Sequence, residues 1–372
     1  VQAVMGNMMT MFSGGGDSNS CCNLGAVLEK RNYDDIVLPT LTVREAAKSM
    51  AKIKKGVAVA NEAGSLVAIF TLKDLNNRVL AKEIDPDTTL VQDVMTPNPE
   101  SVEPEMTLLD ALHLMHDQKY LHLPVVANGT AKGLVDAMDV MDASQGDGKG
   151  SDGWRSFWEQ TMTIGDDASD AASVKSLETA GSARTGRSQS IKASTGNVKQ
   201  PPRSSGPVGG RTVGKLRPKK PVILSASAAI LDVCKAMANA RTDSALLTGA
   251  DGTLAGIVTT TDMTRRVVAQ NLDLSTSVSH VMTQSPKYVS VDDDATEALI
   301  MMMDNHFRHL PVLGSDGGIV AVLDIAKCMY DAISKIEKVE ASGKVVGGGK
   351  DAAVMEAFKN SMPMKGMSAE QA

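Results

Sequence analysis

An internal repeat constrains this 372-residue chain more than any other feature. The segment from Val94 to Val126 reappears 187 positions later, from Val281 to Leu313, with thirteen of its 33 residues unchanged. Inside each half lies a shorter period of 65, where apolar residues recur at the i, i+3, i+4, i+7 spacing of a helix face. The pattern predicts four copies of one unit, arranged as two pairs.

Each copy shows the same predicted order of elements. A capped helix comes first, as at Thr42 with Glu45. A short apolar strand such as Val57–Ala60, a Gly- or Asn-rich turn, a second strand such as Leu66–Phe70 and a closing helix follow. A unit of about 60 residues with so small a sheet cannot bury both sheet faces alone. We therefore expect an α+β fold of helix-strand-strand-helix units with small mixed sheets, paired about pseudo-two-fold axes.

Changes in composition divide the chain into five regions. They are a tail at 1–34, a first pair at 35–143 (copy 1 at 35–85, copy 2 at 90–143), a Ser- and Gly-rich linker at 144–210, a second pair at 211–340 (copy 3 at 211–275, copy 4 at 278–340) and a Gly-rich tail at 341–372. Most of the linker is predicted to be disordered, apart from a cluster of Trp154, Phe157 and Trp158 that could dock as a short helix. Because the chain begins with Val1 and not with Met, we expect a processed chain or an internal fragment.

Composition and motifs argue against several classes of function. Aromatic residues make up 3% of the chain and the net charge is -6, which disfavours general nucleic-acid binding. The four Cys have neither metal nor disulfide spacing, which favours a reducing, cytoplasmic compartment, and no apolar run is long enough to span a membrane. We find no catalytic motif and expect no enzyme. His113 and His116 have a spacing that could bind metal, but a solvated helix face is the preferred interpretation, and no metal site is expected.

Several motifs resemble tandem cystathionine-beta-synthase (CBS) domains. The resemblance rests on VMTPNP, DALHLMHDQKYLHLPVV and FTLKD in the first half, and on HVMTQSP, NHFRHLPVL and VTTTD in the second. It covers about two thirds of the chain. At finer grain, RTVGKLRPKKP and LDIAKCMYDAISKIEK look like eukaryotic proteins that join two CBS pairs to an octicosapeptide (Phox-and-Bem) domain. Here the two pairs stand in the reverse order and no octicosapeptide segment is recognisable.

The resemblance implies a ligand site at the Thr-x-x-Asp sequence that follows the second strand of a copy. Thr71 with Asp74 and Thr259 with Asp262 match this pattern. A helix N-terminus favours phosphate, and a carboxylate can accept hydrogen bonds from both hydroxyls of a ribose. The same sequence is also a capping box that needs no ligand. Within the CBS resemblance, ribose binding is the preferred interpretation.

The other two copies depart from this pattern. Asp136 begins the equivalent turn of copy 2, whereas copy 4 has Asp324 followed by Lys327. A carboxylate at the helix start should repel a phosphate, and Lys327 cannot accept hydrogen bonds from ribose hydroxyls. We therefore expect one ligand site in each pair.

For the phosphates, the resemblance implies basic residues just before Leu-Pro-Val in the companion copy. These are Lys119 and His122 in the first pair, and Arg308 and His309 in the second. The planar guanidinium of Arg308 suits bidentate phosphate contact, while a His in this place could equally be a packing residue. Val57 and Ser244 take the His position in copies 1 and 3, where we expect no anion site.

Together these features predict a non-catalytic sensor. An adenosine-containing ligand (AMP, ADP, ATP or S-adenosylmethionine) would bind in the crevice of each CBS pair and change the angle between its copies. The pairs should associate within the chain or in a homo-oligomer, and a regulated protein partner is expected. Two alternatives stay open. One is a ligand-free dimerisation scaffold, and the other is a nucleic-acid-associated protein acting through residues 183–220, which hold ten Lys or Arg and no acidic residue.

Overall fold

The computed structural model describes residues 23–31, 33–143, 155, 158, 159, 161, 162 and 211–341, with side chains as far as residue 335. Most of both tails, most of the linker, and Trp154 and Phe157 lie outside the described residues, so the predictions made for them are not addressed. Among the described residues, no helix has the length and apolar character needed to cross a bilayer.

The helices and strands follow the predicted order in all four copies. A short helix, Leu24–Glu29, precedes them. Copy 1 has strand Ile36–Val37, opening helix Val43–Ile53, strands Val57–Ala60 and Leu66–Phe70, and a closing helix made of Leu72–Asp74, Leu75–Val79 and Leu80–Lys82. Copy 2 has helix Val91–Val94, strand Thr96–Pro97, opening helix Leu108–Gln118, strands His122–Ala127 and Thr130–Asp136, and closing helix Ala137–Ala143.

Copy 3 has turn Val213–Leu216, strand Ile223–Ser225, opening helix Ile230–Asn239, strands Ser244–Thr248 and Leu254–Thr259, and a closing helix made of Thr260–Asp262 and Met263–Val268. Copy 4 has turn Val278–His280, strands Thr283–Gln284 and Val289–Ser290, opening helix Ala295–Asp304, strands His309–Leu313 and Ile319–Asp324, and closing helix Ile325–Ala341.

The capping signals read from the sequence explain where the opening helices begin. Thr42 and Glu45 form a reciprocal capping box at the start of copy 1. The Asp294 carboxylate accepts hydrogen bonds from two backbone N–H groups of the first turn in copy 4. Ala229 holds the cap position of copy 3, and it makes no side-chain cap. Each cap satisfies N–H groups that have no partner inside the helix.

Each pair joins its copies through small mixed sheets. In copy 1, Ile36–Val37 pairs parallel with Val57–Ala60, which pairs antiparallel with Leu66–Phe70. The fourth strand of that sheet, Thr96–Pro97, comes from the start of copy 2. Thr283–Gln284 of copy 4 completes the sheet of copy 3 in the same way. The predicted fold class is confirmed.

Two apolar cores bring the pairs face to face within one chain. Copies 1 and 3 share the first core, in which Met50 and Met237 are fully buried, and the opening helix of each copy packs on the closing helix of the other. Copies 2 and 4 share the second core, which contains Leu112, Leu299 and the linker residue Trp158. Burial of a single Leu or Met contributes about 1.5–3 kcal/mol, so these two cores stabilise the association of the pairs.

Two buried side chains carry groups that can react or titrate. Cys234 is buried in the core of copies 1 and 3, and burial raises the pKa of its thiol to about 12, so the thiol stays protonated at neutral pH. The solvated-face interpretation of His116 is wrong because its ring is buried between copies 2 and 4. Its Nε2 lies 2.6 Å from the Ser334 hydroxyl and its Nδ1 lies 2.8 Å from the Asp117 carboxylate.

Candidate ligand site

The two Thr-x-x-Asp turns lie where the second strand of a copy leads into its closing helix. The Thr71 backbone N–H donates to Asp74 Oδ2 at 3.0 Å, and the Thr71 hydroxyl oxygen accepts from the Asp74 N–H at 3.2 Å. Thr259 and Asp262 repeat the arrangement, with distances of 2.9 and 3.4 Å. Both turns are therefore complete capping boxes. The box uses one carboxylate oxygen of each Asp and leaves Oδ1 for other partners.

The remaining oxygen has different surroundings in the two turns. Asp74 Oδ1 accepts a hydrogen bond from the Thr96 hydroxyl at 3.1 Å. Thr283 holds the equivalent position in the second half, but the partner of Asp262 Oδ1 among the described residues is Arg266 Nε, at 3.5 Å. Burial raises the pKa of Asp262 above its usual range. Arg78 Nε lies at the same 3.5 Å from Asp74 Oδ1, so Asp262 Oδ1 differs in having one hydrogen-bond donor fewer among the described residues.

A local change of helix geometry follows both turns. Leu75–Val79 and Met263–Val268 are π-helical, whereas the closing helices of copies 2 and 4 begin as regular α-helix. Within these stretches lie Arg78 and Arg266, whose guanidinium groups donate to backbone carbonyls such as that of Val281, at 2.6 Å from Arg266. Stretches of π-helix are rare and occur frequently at functional sites.

One cavity of about 870 Å³ between the four copies contains every residue predicted from the sequence to bind ligand. These residues are Thr71, Asp74, Lys119, His122, Thr259, Asp262, Arg308 and His309. Because the pairs meet face to face, the Thr-x-x-Asp turns of copies 1 and 3 contact each other. The two crevices expected from the sequence therefore open into a single space, whose volume suits a nucleotide-sized ligand.

Strand register corrects one predicted position. In copies 2, 3 and 4, the residues opposite the first residue of the turn are His122, Ser244 and His309. In copy 1, Val57 pairs with Phe70, one residue before the turn, so Gly56 lies opposite Thr71 and the assignment of Val57 is wrong. Lys55 precedes Gly56 and lines the cavity. The offset of one residue hid this cation from the sequence analysis.

Copy 2 begins its closing helix with two carboxylates, and cations of the same chain neutralise them. The N–H groups of Asp136 and Asp139 donate to each other's carboxylates at 2.9 and 2.8 Å. Lys55 forms ion pairs with both carboxylates. Arg31 pairs with Asp139 and with Asp35, and the three side chains of this group are at most 8% exposed. This turn is a closed internal cluster of charges.

Copy 4 closes its turn in a similar way. Asp324 accepts a hydrogen bond from Lys219 at 2.8 Å and lies 3.6 Å from Arg308 Nε. Although burial opposes ionisation, Arg308, His309 and Lys219 hold the pKa of Asp324 well below its usual range. Arg308 also pairs with Asp243 of copy 3 at 3.0 Å. The guanidinium predicted to bind phosphate therefore already has two carboxylate neighbours.

The two predicted histidines are buried beside the cavity. Burial lowers the pKa of His309 to about 4, and it also lowers the pKa of His122. Both rings are consequently neutral at pH 7, and each has one N–H to donate. Any positive charge offered to a ligand here comes from Lys and Arg side chains, which include Lys119, whose Nζ donates to a backbone carbonyl at 3.0 Å.

The sequence analysis did not single out several polar residues that line the cavity, among them Lys55, Lys73, Thr96 and Asp243. It also missed Arg31, which pairs with Asp139 outside the cavity lining. Thr96 carried a usable signal, because it belongs to the Val-Met-Thr that both halves repeat. Lys73 of copy 1 lies 3.7 Å from Asp243 of copy 3. No local sequence motif indicates this contact between the two pairs.

Comparison with known proteins identifies the family of the repeated unit. The family model described as "CBS domain" matches residues 35–81, 91–146, 213–269 and 278–331. Each match falls on one of the four copies, and together they cover more than half of the chain. The chain belongs to the CBS domain family. The predicted resemblance is confirmed at this level, and the protein carries two CBS pairs.

Curated relatives match part of this CBS protein. The CBS domain-containing protein CBSCBSPB1 of Arabidopsis thaliana is 44% identical over 139 residues, which are 37% of this chain and 25% of the relative. CBSCBSPB3 of the same plant is 42% identical over 162 residues, which are 42% of this chain and 29% of that relative. The match spans between a quarter and a third of the length of these relatives.

Solved structures share the fold. Protein MJ1225 from Methanocaldococcus jannaschii superposes with a TM-score of 0.53 at 14% identity, covering 83% of this CBS protein and 99% of that chain. The similarity therefore covers nearly the whole of that chain, and at 14% identity it concerns the fold alone. The CBS domain protein PAE2072 from Pyrobaculum aerophilum, solved in complex with AMP, is 30% identical with a TM-score of 0.30, covering 32% of this chain and 89% of its own.

Proposed function

We propose that this CBS protein is a non-catalytic regulatory module whose central cavity binds an adenosine-containing ligand: AMP, ADP, ATP or S-adenosylmethionine. One observation carries the proposal. The two Thr-x-x-Asp turns lie side by side on one nucleotide-sized cavity, each with a carboxylate oxygen that its capping box does not use. A ligand there contacts more than one copy, so its differential affinity for two arrangements of the copies would shift the angle between them.

Asp74 and Asp262 are the proposed ribose-binding residues. Backbone and hydroxyl donors of Thr71 and Thr259 hold each carboxylate through Oδ2, which lowers the entropy cost of binding a diol at Oδ1. The same two Thr residues begin the helices whose positive ends favour phosphate or ribose oxygens.

The base and the phosphates have different surroundings. Ile69 and Ile257 line the cavity from the second strands of copies 1 and 3, where they offer an apolar contact to adenine. Arg308, His309, Lys119 and His122 are the proposed phosphate-binding residues. Because Arg308 is shared with Asp243, and the histidines are neutral, we expect AMP or ADP to bind more tightly than ATP.

Three finer points stay predictions. They are the resemblance to CBS proteins that carry an octicosapeptide domain, a cytoplasmic location, and regulation of a protein partner. Fractionation of cells that express a tagged chain tests the location.

Isothermal titration with AMP, ADP, ATP and S-adenosylmethionine tests the proposed function. We expect heat with at least one of them, and we expect Asp262→Asn to weaken its affinity about 10- to 100-fold, the loss of one charge-assisted hydrogen bond or two. Asp74→Asn should act in the same direction.

A matched control is available in the opening helix of copy 2. Asp110 is also the fourth residue of a Thr-x-x-Asp cap, and Thr107 donates to its carboxylate at 2.7 Å, but Asp110 does not line the cavity. Asp110→Asn should therefore leave ligand affinity unchanged. Absence of heat with all four ligands would instead favour the scaffold, which the shared cores of the pairs already support without a ligand.

A further inference from the structure

A second groove lies on the surface between copies 1 and 3. It has a volume of about 840 Å³ and shares no lining residue with the central cavity. We call it the basic groove, and it is defined by Lys48 and Lys52 from the opening helix of copy 1, Arg265 and Arg266 from the closing helix of copy 3, and His280. Among the described residues that line it, none is a carboxylate.

Much of this positive charge has no counter-charge bound to it in the fold. Among the described residues, no side-chain ion pair or hydrogen bond engages Lys48, Lys52 or Arg265. Carboxylates do lie nearby: Glu45 and Asp87 act on Lys48, and Asp262 acts on Arg265. Of these, Asp87 is already paired with Arg44 and Asp262 with Arg266. Like charges gathered in one groove repel each other, so the arrangement is unfavourable unless an anion binds there.

The repeat supplies an internal comparison for the basic groove. On its pseudo-two-fold counterpart, the opening helix of copy 3 packs on the closing helix of copy 1. There the chain has Asn239 for Lys52, Asn77 for Arg265 and Asp93 for His280. Lys235, the equivalent of Lys48, is paired with Glu83 at 2.6 Å. The same helix contact forms without Lys52, Arg265 and His280, so packing does not require those three residues.

The remaining lining of the basic groove indicates the kind of anion. Ala51, Ala269 and Leu272 contribute an apolar surface between the cations. A polyphosphate or a nucleic-acid backbone would contact the cations and leave this surface exposed to water. A peptide with acidic and apolar side chains satisfies both parts of the lining, because its carboxylates can contact the cations while its apolar side chains cover the apolar lining residues.

We propose that the basic groove is a docking site for an acidic, partly apolar peptide segment of a protein partner. The site is distinct from the proposed adenosine site and does not depend on it. Arg266 lies between the two, since it lines the groove and its Nε is 3.5 Å from Asp262 Oδ1. A docked peptide is thus one side chain away from the central cavity.

Fluorescence anisotropy with the full chain tests the proposal. The probe is a fluorescein-labelled peptide of four Glu-Glu-Leu repeats, titrated at low and at physiological salt. We expect saturable binding that the double variant Lys52→Asn with Arg265→Asn weakens about tenfold or more, because two charge contacts of the groove are lost. These substitutions install the residues of the counterpart surface, which the same fold already accommodates.

Two further variants serve as controls for this test. Lys235→Asn removes the equivalent Lys of the counterpart surface and should leave peptide affinity unchanged. Asn239→Lys with Asn77→Arg, added to the double variant, should restore binding at the counterpart surface. The proposal is overturned if the double variant binds as well as the unmodified chain. It is also overturned if the Glu-Glu-Leu peptide does not bind while labelled inorganic polyphosphate does, which would assign the groove to a phosphate polymer.

Discussion

Copies 1 and 3 carry a carboxylate at the fourth residue of the turn that begins the closing helix. Copies 2 and 4 carry one at the first residue of that turn, where cations of the chain neutralise it. Asp74 and Asp262 face the central cavity with one oxygen outside the capping box. Asp139 is covered by Lys55 and Arg31, and Asp324 is surrounded by three basic groups. One duplicated turn has thus become an open acceptor in two copies and a closed ion cluster in the other two.

The difference shows how a repeat unit can lose a ligand site without losing its fold. The closed turns need cations from elsewhere in the chain, and Lys55 of copy 1 and Arg308 of copy 4 supply them from the same position, just before the first strand. Once buried, such charges must stay paired, because removing one partner leaves the other without compensation. The closed turns should therefore tolerate substitution poorly, and the open ones well.

The largest expected effect is on the closed turn of copy 2. Arg31→Met leaves the buried carboxylates of Asp35 and Asp139 without their shared guanidinium. We expect a loss of about 3–5 kcal/mol in the free energy of unfolding, measured by urea denaturation.

The matched control lies at the open turn of copy 1. Arg78 is 39% exposed and its Nε lies 3.5 Å from Asp74 Oδ1. Arg78→Met should cost roughly 1–2 kcal/mol, the amount typical of an exposed ion pair and of the hydrogen bonds that Arg78 donates to the Val94 and Met95 carbonyls. Equal losses in the two variants would contradict the distinction between open and closed turns.

A smaller effect is expected from pH, at the closed turn of copy 4. The folded-state pKa of His309 is about 4, below its ordinary 6.5, so the unfolded chain binds a proton between these values and the folded chain does not. Stability is therefore lost as pH falls from 6.5 to 4. Across this window the unmodified chain should lose on the order of 3 kcal/mol more than His309→Gln, measured by denaturation at several pH values.

Copies 1 and 3 sharpen this test because Gly56 and Ser244 hold the position of His309, so neither copy supplies an imidazole to its own turn. His122 of copy 2 should add a contribution of the same sign, since its pKa is also lowered by burial. Identical pH profiles for the unmodified chain and His309→Gln would rule out a buried neutral His309.

The smallest effect separates the two open turns from each other. Thr96→Val removes the hydroxyl that donates to Asp74 Oδ1, which should cost about 1 kcal/mol of stability. It also frees that oxygen for a ligand hydroxyl. In a chain that also carries Asp262→Asn, which removes the carboxylate of copy 3, the affinity of copy 1 for the ligand should therefore rise by roughly threefold. Titration calorimetry measures this change. Thr283→Val, with no bond to Asp262 among the described residues, should leave stability at its own turn unaltered.

Much of the fold could be predicted because its signals are local and repeated four times. The strands Val57–Ala60 and Leu66–Phe70 have the predicted bounds, and the Thr42 and Glu45 capping box forms as expected. Part of the candidate site could be predicted from the sequence for the same reason. The spacing of Thr71 and Asp74 encodes a helix cap within four residues, and the cap is what orients the carboxylate.

The sequence by itself determined the four copies, their elements and the two Thr-x-x-Asp turns, since hydrophobic periodicity and capping act over one helical turn. Only the tertiary structure decided that the pairs share cores, that their crevices merge, and that Arg31 covers the Asp139 carboxylate 108 positions away. The physical reason is that the forces involved act between residues that are far apart along the chain. Coulomb attraction and desolvation depend on distance in space and on burial, and neither can be read from separation along the chain.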